Sequence, residues 1–229
     1  MTSVNKILYA HGLGGGPQSA KAQLLRGYFE PRGVAVETPS LSVPSLEHLS
    51  PVAARDYLVG RLKELAGDSL AVVASSFGAY LVLHALAHAA DLRPAFLVLL
   101  APVIDPWDSR SALLSEQVEE SWRTVGYRSV VDISRGIEVQ LHYAFVEELH
   151  QMGAGVPAAG LSTLILHGDR DSVVASAQSR EFAATSPDVT YRALDDDHAL
   201  LREPEVWLRC ISDFIAAAPD GPAVQRGEL

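Results

Sequence analysis

Three side chains in this chain have the types that nucleophilic acyl chemistry requires, and they occur in the order Ser76, Asp171, His198. A serine hydroxyl is a weak nucleophile until a base takes its proton, and a neutral imidazole does this near neutral pH. A carboxylate on the ring's other nitrogen fixes the tautomer and stabilises the imidazolium as it forms. Ser76 is singled out by its surroundings. It follows the apolar run from Leu70 and lies in Ala74-Ser75-Ser76-Phe77-Gly78, a small-x-Ser-x-small pattern at a strand-to-helix turn. Small flanks matter because the strand and helix backbones nearly touch at such a turn; Ala74 stands where Gly is usual. Ser75 lacks this spacing, since Val73 and Phe77 flank it.

A serine nucleophile also needs donors for the oxyanion. His11-Gly12-Leu13-Gly14-Gly15-Gly16 follows an apolar run and fits an oxyanion loop, with the backbone N–H groups of Leu13 and Phe77 as the expected pair. A phosphate cradle would want G-x-G-x-x-G opening a helix or a following Lys-Ser/Thr pair, and neither is present; a plain flexible turn is the other reading. His11 and Gly12 are assigned to substrate binding, though His11 is equally placed to brace the loop. Asp171 is preferred to Asp169 as the acid because Gly-x-x-Asp precedes the apolar pair Val173-Val174. His167 reads as a brace for that loop. Asp195, Asp196 and Asp197 are adjacent, so they cannot all point one way, and a solvated loop is preferred to a metal cluster. His84 and His88 have zinc-compatible spacing but no third ligand, and read as packing residues. No metal and no cofactor are expected.

The elements that must position these groups alternate along the chain. Strands are expected at Lys6–Ala10, Val34–Thr38, Leu70–Ala74, Ala95–Leu100, Leu161–Leu166 and Val189–Ala193. Helices are expected over Ser19–Glu30, from Pro51 to about Leu65 behind the N-cap Ser50, and over Ala79–Ala90, Ala175–Thr185 and Glu205–Ala217. This is an α/β pattern: a mostly parallel sheet with helices on both faces, in one domain over 1–229. Ser76, Asp171 and His198 each follow a strand end, and in an open parallel sheet those ends share one edge. Residues 105–160 are more polar and aromatic and read as a small helical insertion (Ser111–Trp122 and Val139–Met152) before the acid-bearing strand. It is either a cap over a pocket or an ordinary pair of packing helices. Leu13, Phe77, Trp107 and one of Trp122 or Phe145 are the expected pocket walls, Trp107 being the assigned substrate contact. Residues 219–229 read as a flexible tail.

Composition narrows the partners. A net charge of −10 argues against a nucleic-acid surface. One cysteine, Cys210, permits no internal disulfide, and neither a signal peptide nor a membrane span is legible, so a cytoplasmic protein is expected. Nothing fixes the oligomeric state.

The sequence also resembles the YqiA-type esterases of the α/β-hydrolase superfamily. Leu8-Tyr9-Ala10-His11-Gly12 and Ser19-Ala20-Lys21-Ala22 are similar to that family's Leu-Tyr-Leu-His-Gly strand end and Ser-Ala-Lys-Ala helix start. The stretch from Gly67-Asp68-Ser69-Leu70 to Ser75-Ser76-Phe77-Gly78 is similar to its Gly-Ser-Ser-Leu-Gly-Gly-Tyr elbow, with departures at Ala74, Phe77 and Ala79. Asp171-Ser172-Val173-Val174 and Asp197-His198-Ala199 resemble its acid and histidine motifs. The resemblance implies an α/β-hydrolase fold and cleavage of short acyl esters. The expected activity is therefore a serine hydrolase acting on a small-molecule acyl ester through an acyl-Ser76 intermediate. A thioesterase or amidase would use the same groups, and a non-catalytic receptor on this fold is the alternative outside catalysis.

Overall fold

Four mostly buried runs and two more exposed strands build a single sheet in the computed structural model, which describes residues 4–67, 69–112, 114–155 and 160–217. In chain order the strands of that sheet are β1 (Lys6–Ala10), β2 (Ala35–Glu37), β3 (Leu70–Ser75), β4 (Phe96–Leu100), β7 (Thr163–Gly168) and β8 (Val189–Leu194). Their order across the sheet is β2-β1-β3-β4-β7-β8, and every pairing is parallel. The missing numbers, β5 (Tyr127–Asp132) and β6 (Ile137–His142), form a separate antiparallel hairpin.

Strand periodicity divides the core in two. Leu8, Ala10, Val72, Ala74, Leu97 and Leu99 point to one face, under α2 (Pro51–Leu65) and α3 (Phe77–His88). Ile7, Tyr9, Ala71, Val73, Phe96 and Val98 point to the other, under α1 (Ala20–Phe29) and α7 (Pro204–Ala217). Burial on both faces explains why β3 and β4 are apolar at nearly every position. Local signals set the ends as well. Ser50 caps α2, its Oγ accepting the Ala53 N–H at 3.0 Å, and Pro51 opens the helix.

The insertion departs from its expected form. It holds α4 (Glu116–Val125), the β5–β6 hairpin and α5 (Ala144–Met152), so a hairpin stands between the two helices, where the expected pair was Ser111–Trp122 and Val139–Met152 with no strand. The reading of Val139–Met152 as one helix is corrected: Val139 to His142 belong to β6. The physical reason is alternation. Val139 and Leu141 are buried between exposed Glu138, Gln140 and His142, and Gly136, at φ +66°, turns the chain. The buried side packs into the same core as α3, with the Trp122 indole N–H donating to Leu141 O at 3.0 Å. The expected tail, 219–229, lies outside the described residues. α6 (Ser176–Ala184) completes the crossover between β7 and β8.

Candidate active site

Strand order reverses at β1, whose neighbours are β2 and β3, and crevices in open α/β sheets form at such switch points. Ser76 lies at the end of β3 with φ +52° and ψ −122°, a conformation L-residues adopt only when their surroundings force it. Backbone bonds do so: Ser76 N–H to Leu100 O at 3.0 Å, and the N–H groups of Ala79 (3.0 Å), Tyr80 (3.4 Å) and Val103 (3.2 Å) to Ser76 O. Gly78 makes room, because a Cβ there would collide with the carbonyl oxygens of Ala10 and His11. Ser75 is buried.

The three polar groups expected to converge do so. Ser76 Oγ donates to His198 Nε2 at 2.9 Å, and His198 Nδ1–H donates to Asp171 Oδ2 at 2.7 Å. The Asp171 side chain is fully buried, and its Oδ1 accepts the N–H groups of Val173 and Val174, each at 2.8 Å. Burial alone would raise its pKa; the hydrogen bonds from His167 and His198 outweigh it and hold the carboxyl well below the usual carboxylate range. Asp169 has a half-exposed side chain, 3.7 Å from Arg180.

The loop carrying His198 is fixed by its own carboxylates. Buried Asp196 accepts the N–H groups of Asp197 (2.8 Å) and Arg202 (3.1 Å), Asp197 accepts that of Ala199 (2.8 Å), and exposed Asp195 pairs with Arg170. The three therefore turn to three different partners. Among the described residues no group of three or more His, Cys, Asp or Glu could hold a metal ion. His84 instead packs on the Tyr80 ring, with centroids 4.4 Å apart.

The Gly-rich loop lies directly against the serine. A Cβ on Gly12 would sit 3.2 Å from Ser76 Cβ and 3.7 Å from its Oγ. Among the described residues the backbone N–H groups of Leu13 and Phe77 have no hydrogen-bond partner. Phe77 opens α3, so its N–H belongs to the positive end of the helix dipole. His11 is 3% exposed and spans the loop base, its Nδ1–H donating to Gly12 O at 2.9 Å and its Nε2 accepting the Leu41 N–H at 3.1 Å. Burial lowers its pKa, which favours the neutral ring that this pairing needs. Gly14, at φ +68°, accepts the Ile133 N–H on its carbonyl at 2.8 Å, which ties the loop to the β5–β6 turn.

A cavity of about 380 Å³ opens beside Ser76, walled by Leu13, Phe77, Trp122, Phe145 and Leu149, with Arg128 contributing charge. The aromatic part is continuous: the Phe145 ring lies 5.2 Å from Phe77 and 5.8 Å from Trp122. Trp107 is not part of the wall. Its indole N–H points to Glu119 Oε2 at 3.4 Å and its ring packs 4.5 Å from His150. Glu119 also accepts the Tyr143 hydroxyl and pairs with His150, so Trp107 belongs to a polar clasp between α4 and α5.

Two further groups lie near the carboxylate. His167, read from the sequence as a brace for the loop, is fully buried near the end of β7 and hydrogen-bonds Asp171 itself. Lys21 lies near the same acid: burial pulls its ammonium down to about 8, against the attraction of Asp171, Asp196 and Asp197. Its only trace in the sequence is the Ser-Ala-Lys-Ala start of α1.

Solved structures similar to this one are α/β hydrolases. Alpha/beta hydrolase domain-containing protein 10 from mouse is 19% identical, with a TM-score of 0.73 over 92% of this chain and 89% of its own. Est1E from Butyrivibrio proteoclasticus with ferulic acid bound is 14% identical, with a TM-score of 0.69 over 94% and 90%. The Paleococcus ferrophilus monoacylglycerol lipase is 14% identical, with a TM-score of 0.71 over 94% and 96%. These likenesses establish the α/β-hydrolase fold. Residues 6–215 match one family from the first strand to the last helix, and the chain belongs to that uncharacterised protein family, UPF0227.

Proposed function

We propose that the protein is a serine esterase that hydrolyses small carboxylic esters through an acyl-Ser76 intermediate. The observation that carries this reading is the continuous line Ser76 Oγ, His198, Asp171, with the unpaired N–H groups of Leu13 and Phe77 flanking the serine. Ser76 Oγ attacks the ester carbonyl while His198 Nε2 takes its proton. The carbonyl oxygen becomes an oxyanion held by the two N–H groups, each worth on the order of 3 kcal/mol in the transition state. Collapse expels the alcohol, protonated by His198, and water then repeats the sequence to release the acid. Asp171 keeps the imidazole in the tautomer whose Nε2 is free to accept.

The acyl group fits the cavity lined by Phe77, Trp122 and Phe145, whose volume lies at the low end of the ~300–1,000 Å³ of small-molecule sites. Trp122 and Phe145 come from the insertion, which acts here as a cap on a single α/β domain. The ferulic acid in the related Est1E structure is the kind of compact aromatic acid such a wall accommodates. Hydrolysis of p-nitrophenyl esters from two to twelve carbons, by wild type and Ser76→Ala together, tests the reading. Turnover lost in the variant supports it. Undiminished turnover in the variant refutes it, and so does wild-type protein that neither hydrolyses these esters nor takes a fluorophosphonate label on Ser76.

A further inference from the structure

Asp171 serves two imidazoles rather than one. Its Oδ2 accepts His198 Nδ1–H at 2.7 Å and His167 Nε2–H at 3.0 Å, while its Oδ1 is saturated by two backbone N–H groups. His167 is fully buried, and its remaining nitrogen, Nδ1, lies 2.7 Å from Ser179 Oγ, whose side chain is also buried. Nε2 has two acceptors in reach, Asp171 Oδ2 and Val174 O at 3.2 Å, so the proton belongs on Nε2 and Nδ1 accepts from the Ser179 hydroxyl. One tautomer satisfies every contact. The chain Ser179, His167, Asp171, His198, Ser76 thus runs from α6 to the nucleophile without a break.

We infer that His167 is a positioning residue of the proposed reaction, a fixed donor that aims the Asp171 carboxylate and sets how strongly it draws on His198. The inference rests on the esterase reading, since it acts only through the Ser76–His198–Asp171 line. A carboxylate oxygen that already holds one donor binds a second less strongly. With His167 present, Asp171 is held in place for His198 while its Oδ2 is shared between two donors. The other charged groups facing the pair are Lys21 of α1, attracted to Asp171, and Asp196 and Asp197 of the His198 loop, which act on Lys21. All of them remain in the variants below.

The side chains of Gln and Asn separate the two contacts. A Gln amide reaches the position of Nε2 and keeps the donation to Asp171; an Asn amide reaches only that of Nδ1 and keeps the Ser179 contact. His167→Asn is expected to lower kcat/KM for a p-nitrophenyl ester roughly tenfold to a hundredfold, the cost of one hydrogen bond to a charged group. Its kcat/KM profile is expected to shift its acidic limb upward by up to about one pH unit, because the freed carboxylate holds the His198 proton longer. His167→Gln is expected to restore most of the rate and the wild-type limb. A residue that merely filled space would give both variants the same loss and leave the limb in place, and that result overturns the inference. If His167→Asn does not fold, Ser179→Ala decides: a smaller shift in the same direction supports the inference, and an unmoved limb overturns it. Ser76→Ala is measured alongside. Loss of turnover there with no limb shift in the His167 variants defeats this inference alone, whereas retained turnover there defeats the esterase reading beneath it.

Discussion

Replacing Asp171 by Asn keeps the side chain's size and removes one acceptor, and the four hydrogen bonds on this carboxylate dictate the result. Val173 and Val174 donate to Oδ1, His198 and His167 to Oδ2. An amide has one oxygen. If that oxygen faces the imidazoles, its NH2 confronts two backbone N–H groups that have no other tautomer, leaving two buried donors unsatisfied at about 1–3 kcal/mol each. If it faces the backbone, its NH2 points at His198 Nδ1 and His167 Nε2; His198 relieves the conflict by moving its proton to Nε2, and His167 Nε2–H keeps Val174 O as its acceptor. The second arrangement is the cheaper one by a margin of about 2 kcal/mol or more. It directs an N–H at Ser76 Oγ where an acceptor is needed, so the base is lost while the fold stays intact. The expected fall in kcat is about ten-thousand-fold, roughly 5 kcal/mol of barrier. The assay is steady-state hydrolysis of a p-nitrophenyl ester at pH 8, with Ser76→Ala as the floor and near-UV circular dichroism as the check on folding. A folded Asn variant within tenfold of wild-type kcat would refute the tautomer argument.

Acid stability follows from the same group. Its folded pKa is depressed, so it contributes stability in full above its unfolded value of about 3.9 and loses it as pH falls further through the folded value; urea midpoints of wild type should fall more steeply below about pH 4 than those of Asp171→Asn. Gly14→Ala forces a Cβ at φ +68° into the Val131 carbonyl oxygen, and should lower kcat roughly tenfold through the displaced Leu13 N–H with little change in KM. Equal kcat for Gly14→Ala and wild type would show that the loop does not depend on this contact. Phe145→Leu, at the cavity wall, should move the preferred acyl chain toward longer esters, whereas Trp107→Ala should leave the chain-length profile unchanged. The reverse pattern in an ester series would relocate the pocket.

The central sheet was legible because its strands carry apolar residues on both faces, and the helix at Pro51–Leu65 because Ser50 and Pro51 mark its start unambiguously. The polar convergence was legible because Ser76, Asp171 and His198 each follow a strand end, and parallel strands bring their ends to one edge. The hairpin was not. Ile137 to His142 alternates visibly, but Tyr127 to Asp132 is exposed over most of its length, and aromatic and charged residues interleaved this way fit a helix as well as a strand. Trp107 is assigned to the pocket because pocket walls are mostly apolar, and the clasp with Glu119 and His150 uses the same indole. His11 and His167 show the limit from the other side. His11 follows β1 and His167 is the penultimate residue of β7, and only the partners of their second nitrogens, Leu41 and Ser179, distinguish a brace for the Gly-rich loop from a support for the acid.

The bond from Ile133 N–H to Gly14 O joins the segment that walls the cavity to the segment that carries the proposed oxyanion donor. Arg135 beside it reaches Asp132 within the turn and Glu47 across it, so the hairpin is strapped to the core at several points. The insertion is therefore not an exchangeable cassette. Grafting another hydrolase's cap onto this sheet, or this cap onto another, would alter the transition-state donor together with the acyl preference. Directed evolution for a new ester should accordingly find that substitutions at 131–135 carry a cost in turnover that substitutions at Leu149, on the far helix of the insertion, do not.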